Sequence, residues 1–169
     1  VRWIQQRLQE IHRSKQFVLP REYVSGEAVY YLGRRYRLKV LASKEAPTVR
    51  LRGSFLFVGV GSRNPEDVRT ALEAWYLARA RRALQTRLVE MCRRLPWTKQ
   101  VPPTRLRQMK ARWGSCSATG RLTLNPNLVR APRECIDYVI LHELCHLKVH
   151  DHSPRFRRLL DSYLPEWKR

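Results

Sequence analysis

The sequence predicts an α+β fold, on three observations. Residues 17–60 and 104–125 contain short alternating apolar and polar runs of the kind strands show. Between them, residues 65–95 keep an unbroken helical spacing of apolar positions. Near the C-terminus, the apolar stretch 135–147 has helical character and carries His142, Glu143 and His146 in the spacing H-E-x-x-H. At 169 residues the chain suits one compact domain with a real core, or one core domain with an appendage. We divide it into 1–62, an N-terminal helix and a small antiparallel β region, and 63–169, a core of long helix, antiparallel hairpin or edge strand, H-E-x-x-H helix and C-terminal helix.

Each element has its own signal. Trp3, Ile4, Leu8 and Ile11 lie at helical spacing over 2–12, an amphipathic helix that must dock on something. Val29-Tyr30-Tyr31, Tyr36 to Val40, Val49-Arg50-Leu51 and Phe55 to Val58 read as short strands punctuated by Gly26, Gly33, Pro47, Gly53 and Gly59. Asn64-Pro65-Glu66-Asp67 combines an N-cap residue, a proline in the first helical position and two acids in the first turn. Apolar residues then recur at 68, 72, 76, 80, 84, 88, 91 and 95 until Pro96 ends the run, a helix of about 45 Å at about 1.5 Å per residue. Residues 104–112 and 121–125 alternate around Ser117-Ala118-Thr119-Gly120, which predicts a hairpin with that tip. Pro132 opens the H-E-x-x-H helix, and Ser153-Pro154 opens a last helix over 154–164.

Composition narrows the classes. Net charge is +20, from 34 Lys and Arg against 14 Asp and Glu, so the surface suits an anionic partner such as nucleic acid, a nucleotide or an acidic surface. A merely solvated arginine-rich surface explains the charge equally well, and no nucleic-acid-reading motif accompanies it. No apolar run is long enough to span a bilayer, and there is no signal-peptide pattern. The chain begins at Val1 rather than Met, the expected start of a fragment or processed product. Cys92, Cys116, Cys135 and Cys145 have no C-x-x-C spacing, so reduced thiols in a cytoplasmic protein are expected.

Residues four apart share a helix face, so His142 and His146 can grip one metal ion while Glu143 stands beside it, placed to take a proton from a metal-bound water. Three imidazoles and a carboxylate among Val139, Ile140, Leu141 and Leu144 are costly to bury without a partner. The third ligand is expected to be His152. On a continuous helix His150 would lie about 12 Å from His142, too far for one ion. His152 returns if the helix stops at about 149–151. A ligand from the last helix, Asp161 or Glu166, is the alternative. The spacing equals that of the metzincins, but Val149 stands where they have glycine, and Met91 and Met109 lie upstream, so no Met-turn follows. Cys145 should face the core, and Asp137 is read as a surface or supporting acid. Arg112-Trp113-Gly114-Ser115 lies before the hairpin tip and has two readings. One is substrate binding, with Arg112 near an anionic group and Gly114 allowing close approach of backbone. The other makes Trp113 a core plug and Gly114-Ser115 a turn.

With these residues the sequence resembles the YgjP-like zinc metallopeptidases, within the wider zincin class and related to the SprT-type proteins. The resemblance rests on Tyr31 to Leu38 (YLGRRYRL), Arg112 to Ser117 (RWGSCS), Leu122 to Asn125 (LTLN), Ile136 to Leu147 (IDYVILHELCHL) and His152 to Phe156 (HSPRF). Arg157 stands where relatives carry an aromatic. The resemblance implies a zincin-like core, zinc at His142, His146 and His152, catalytic Glu143, and an N-terminal β segment ahead of the Trp3-Ile4 helix in native relatives. Peptidase and nucleoside-triphosphate pyrophosphatase activities are both attached to the family. Three functions follow as expectations: a zinc peptidase cutting an extended polypeptide, a metal-dependent pyrophosphatase acting on a UTP-type nucleotide, and a nucleic-acid-associated protease or binding module. The charge favours the second, but the chain has no P-loop and no acidic magnesium cluster.

Overall fold

The computed structural model describes Gln6 and residues 21–164. The helix expected over 2–12 falls outside the described residues except for Gln6, which is helical. Four strands come first: β1 (Ala28–Tyr31), β2 (Arg34–Ala42), β3 (Thr48–Arg52) and β4 (Phe55–Val60). β2 shows the alternation plainly: Tyr36, Leu38 and Val40 are buried and the residues between them are exposed. β1 and β2 join through Leu32-Gly33, both at positive φ (48° and 78°), the tight turn whose twist suits a two-residue hairpin. The sheet order is β1-β2-β4-β3, and β2 and β4 run parallel. The expected all-antiparallel region is therefore a mixed sheet. β4 carries an apolar or aromatic side chain at every position but Gly59, and burial rewards it most with a neighbour on each side. Once β4 folds back from β3 into that central place, it must run in the direction of β2.

Helix α1 (Pro65–Arg94) matches its sequence signals closely. The Asn64 side chain accepts a hydrogen bond from the Glu66 amide at 3.1 Å, and Pro65 occupies the first turn. All eight apolar positions of the expected stripe, from Val68 to Leu95, are buried. Its first turns (Val68, Ala71, Leu72) pack on the sheet, and the remainder, from Tyr76 to Cys92, joins a second apolar cluster. One helix thus serves two cores.

The second cluster is roofed by β5 (Thr104–Leu106), β6 (Gly114–Cys116) and β7 (Leu122–Leu124), in the order β5-β7-β6. The hairpin is narrower than expected. Its first arm is 114–116, while 104–106 pairs with β7 in parallel and 107–113 is not strand. The reason is Asn125, fully buried, whose side-chain amide donates to the carbonyls of Met109 (2.9 Å) and Arg112 (3.1 Å) and holds that segment as a loop. A short 3-10 helix (Pro126–Arg130) leads to α2 (Arg133–Cys145) and then α3 (Pro154–Tyr163). α2 stops at Cys145, about one turn before the expected break. No helix among the described residues is long and apolar enough to cross a membrane.

The first sheet is tied to the start of α2. Leu32 and Gly33 donate their amides to the carbonyls of Val129 (2.8 Å) and Arg130 (3.3 Å). A Cβ on Gly33 would stand 2.8 Å from the Pro132 Cα, besides being strained at that φ. Gly33→Ala is therefore expected to cost about 2 kcal/mol or more, measured by urea denaturation. An unchanged midpoint would show that this junction is loose.

Candidate active site

α2 presents His142 in its last turn and His146 at its C-cap, still in right-handed helical geometry (φ −65°, ψ −19°). The four-residue spacing therefore keeps both rings on one side. Beyond the cap the chain tightens: the Leu147 amide donates to Leu144 and the Lys148 and Val149 amides to Cys145. This turn lets the chain double back and deliver His152, just before the Ser153-Pro154 start of α3. The early helix stop, rather than one at 149–151, achieves the return.

The three rings converge. One donor nitrogen from each of His142, His146 and His152 lies within 4.8 Å of the others, and the Nε2 atoms of His142 and His152 are 3.0 Å apart. His146 holds its Nδ1 3.1 Å from the Val149 carbonyl, which fixes the proton there and leaves Nε2 as the free donor. Ring centroids stand 4.8–5.0 Å apart. All three surround Phe156, which is buried and lies 4.5–5.0 Å from each ring. Phe156 was legible in the sequence only as part of a motif; its place behind the imidazoles was not. Of the alternatives to His152, Asp161 is not in this cluster, and Glu166 falls outside the described residues. His150 lines the same cavity without joining the trio.

That cavity, about 660 Å³, has α2 on one side and the segment Arg112–Cys116 on the other. Glu143 is buried, with 6% of its surface exposed. Burial pushes its carboxyl up to about 7, against the opposing field of Arg112. Burial, joined by the fields of His146 and His152, holds His142 down at about 4; burial also lowers His146. Both shifts favour the neutral imidazole that a metal requires. Gly114 does permit a close approach, and the group it admits is Glu143: a Cβ at 114 would lie 2.6 Å from the Glu143 Cγ and Oε1. Trp113 is buried in the second core, as its core-plug reading expects, and it also lines the cavity. Arg112 is exposed at the cavity, and Ser115 lies on β6 within its wall. Tyr138 and Cys116 also line it, unanticipated from the sequence; the Cys116 thiol is raised by burial and by Glu143. Cys145 is buried, its thiol pushed up to about 12 by desolvation, and it stays out of the cluster. Asp137 accepts from Arg87 Nε at 2.7 Å and so ties α2 to α1.

The chain belongs to a metallopeptidase family: the YgjP-like metallopeptidase domain matches residues 1–169. No curated protein matches it. Among solved structures it is similar to the metallopeptidase zymogens abylysin of Pyrococcus abyssi and jannalysin of Methanocaldococcus jannaschii. Each is 27% identical with a TM-score of 0.43, over 48% and 47% of this chain respectively and 80% of each zymogen chain.

Two measurements probe the site's construction. Asn125→Ala leaves the Met109 and Arg112 carbonyls and the Asn127 amide without their side-chain partner. It should cost roughly 2–4 kcal/mol in urea denaturation. The second concerns Glu143. Its folded value is raised from 4.5 to about 7, so the stability it contributes is present below about 4.5 and lost as pH rises through about 7. Glutamine carries no charge to bury, and His142 titrates in both proteins. In chelator, Glu143→Gln should therefore gain on the wild type between pH 5 and pH 8 by up to about 3 kcal/mol. A difference independent of pH would mean the carboxylate is not buried as described.

Proposed function

We propose that this chain is a zinc peptidase in which His142, His146 and His152 hold the ion and Glu143 is the general base. The observation that carries the reading is the convergence of three imidazole nitrogens beside a buried carboxylate on a cavity walled by a sheet edge. The donor set fits the ion. Three neutral imidazoles suit zinc, and three protein ligands leave a position for water or substrate. A bound zinc supplies Lewis acidity and brings a coordinated water to a pKa near 7.

The chain's own groups supply the remaining chemistry. Glu143, poised near neutrality by burial, accepts a proton at its carboxylate and returns it to the departing amine nitrogen. β6 is an edge strand of its sheet, with β7 on one side only, so an extended peptide can add to it through Gly114 and Ser115. Trp113 gives that strand a rigid base in the core, and Arg112 offers its guanidinium to a substrate carbonyl or carboxylate. A nucleotide fits less well, because Arg112 is the only Lys or Arg among the described residues that line the cavity, and a triphosphate carries several charges.

Metal analysis and turnover on the same preparations test this. The wild type purified at neutral pH without chelator should carry about one zinc per chain, and His142→Ala and His146→Ala should lose it. Glu143→Gln should keep the zinc and lose peptide cleavage by about 10²-fold or more. Faster hydrolysis of UTP than of any peptide would select the pyrophosphatase instead. A zinc-free wild type would remove the hydrolase reading altogether.

A further inference from the structure

The outward face of the first sheet carries a pattern that the hydrolase chemistry leaves unused. The β2/β4 register sets Arg37 beside Phe55 and Lys39 beside Phe57. The β3/β4 register sets Arg52 opposite Phe55 and Arg50 opposite Phe57. Two successive cross-strand rows thus read Arg37–Phe55–Arg52 and Lys39–Phe57–Arg50. Strand alternation puts both rows on the face opposite Leu38, Leu56 and Val58, which bury against α1. The four cations are exposed and the two phenylalanines half-buried. Their rings are 6.0 Å apart, and the Lys39 ammonium lies 4.8 and 5.6 Å from them. On β1, Tyr30, 45% exposed, continues the face beside Arg35. None of the four strands contains Asp or Glu.

Cations alone would fit any polyanion. The aromatic centre narrows the choice. A planar base can stack on an aromatic side chain displayed at the centre of a sheet while its phosphates reach the flanking cations. In a duplex the base faces are already stacked on one another, and an acidic polypeptide has no base to offer. We propose that this sheet face binds single-stranded nucleic acid, with bases on Phe55 and Phe57 and phosphates on Arg37, Lys39, Arg50 and Arg52. The proposal is independent of the zinc chemistry, which sits against the other sheet.

Fluorescence anisotropy of the full chain tests it, using labelled oligothymidylate and oligouridylate of roughly 12 nucleotides, within the range of site sizes of small single-strand-binding domains. A duplex of the same length and polyglutamate serve as competitors. Wild type should prefer the single strands, with affinity falling as salt rises. Phe55→Ser with Phe57→Ser should weaken single-strand binding about 10- to 100-fold and leave duplex binding unchanged. Phe55→Leu with Phe57→Leu, which keeps an apolar side chain but removes the ring, should do the same and guards against misfolding. Arg50→Ala with Arg52→Ala should weaken binding and flatten the salt slope by roughly one for each phosphate-binding arginine removed. Arg155→Ser with Arg158→Ser, exposed on α3, should leave it within about twofold of wild type, since neither touches the strand in this arrangement. The proposal fails if the leucine variant binds as wild type, or if the α3 pair matters as much as Arg50 and Arg52. It also fails if duplex or polyglutamate competes as well as the single strand. The ratio of thymidylate to uridylate affinity then assigns the ligand to DNA or RNA.

Discussion

The site depends on one close approach, between the Glu143 side chain and the bare backbone of Gly114. A Cβ there would stand 2.6 Å from the Glu143 Cγ and Oε1, so the carboxylate holds its place beside the edge strand because residue 114 has no side chain. This proximity has an electrostatic consequence. By closing over Glu143 the strand excludes water from it, and the missing solvation raises the carboxyl toward neutrality. The same segment carries Arg112, whose field limits that rise. Strand position, carboxylate position and carboxylate basicity are therefore one structural fact.

A second constraint lies behind the histidines. Phe156 is within 5.0 Å of all three ring centroids and comes from α3, whereas two of the rings come from the end of α2. An apolar ring at that place fills the space into which the imidazoles could otherwise turn, and it gives them no competing hydrogen-bond partner. The tightened turn after Cys145 and the bond from His146 Nδ1 to Val149 complete the support. Side chains that the proposed chemistry never touches thus decide where its ligands point.

The two halves of the chain are joined through α1 and through the Leu32-Gly33 turn. The helix shares its buried face between both apolar clusters, and the turn bonds directly to the backbone leading into α2. The first sheet consequently braces the site while its opposite face keeps Arg37, Lys39, Arg50 and Arg52 exposed. That arrangement frees the cationic and aromatic rows for a separate partner without disturbing the zinc ligands proposed beside the second sheet.

Periodicity and end signals were sufficient for α1 and for the start of α3. The stripe from Val68 to Leu95, the Asn64 cap and the Ser153-Pro154 start are local properties, and local chemistry determines them. The pairing of His142 with His146 was legible for the same reason, since helix geometry relates residues four apart. Other features depend on the meeting of distant segments. The parallel pairing of β2 with β4, the loop at 107–113 held by Asn125, the early end of α2, and the places of Phe156 and Gly114 in the site all fall in this class. An alternating run shows which residues share a face but not which strand lies beside it. A buried side chain such as that of Asn125 can redirect a segment many residues away. Segments far apart in sequence meet only when the cores close, so their partners were decided by the tertiary structure alone.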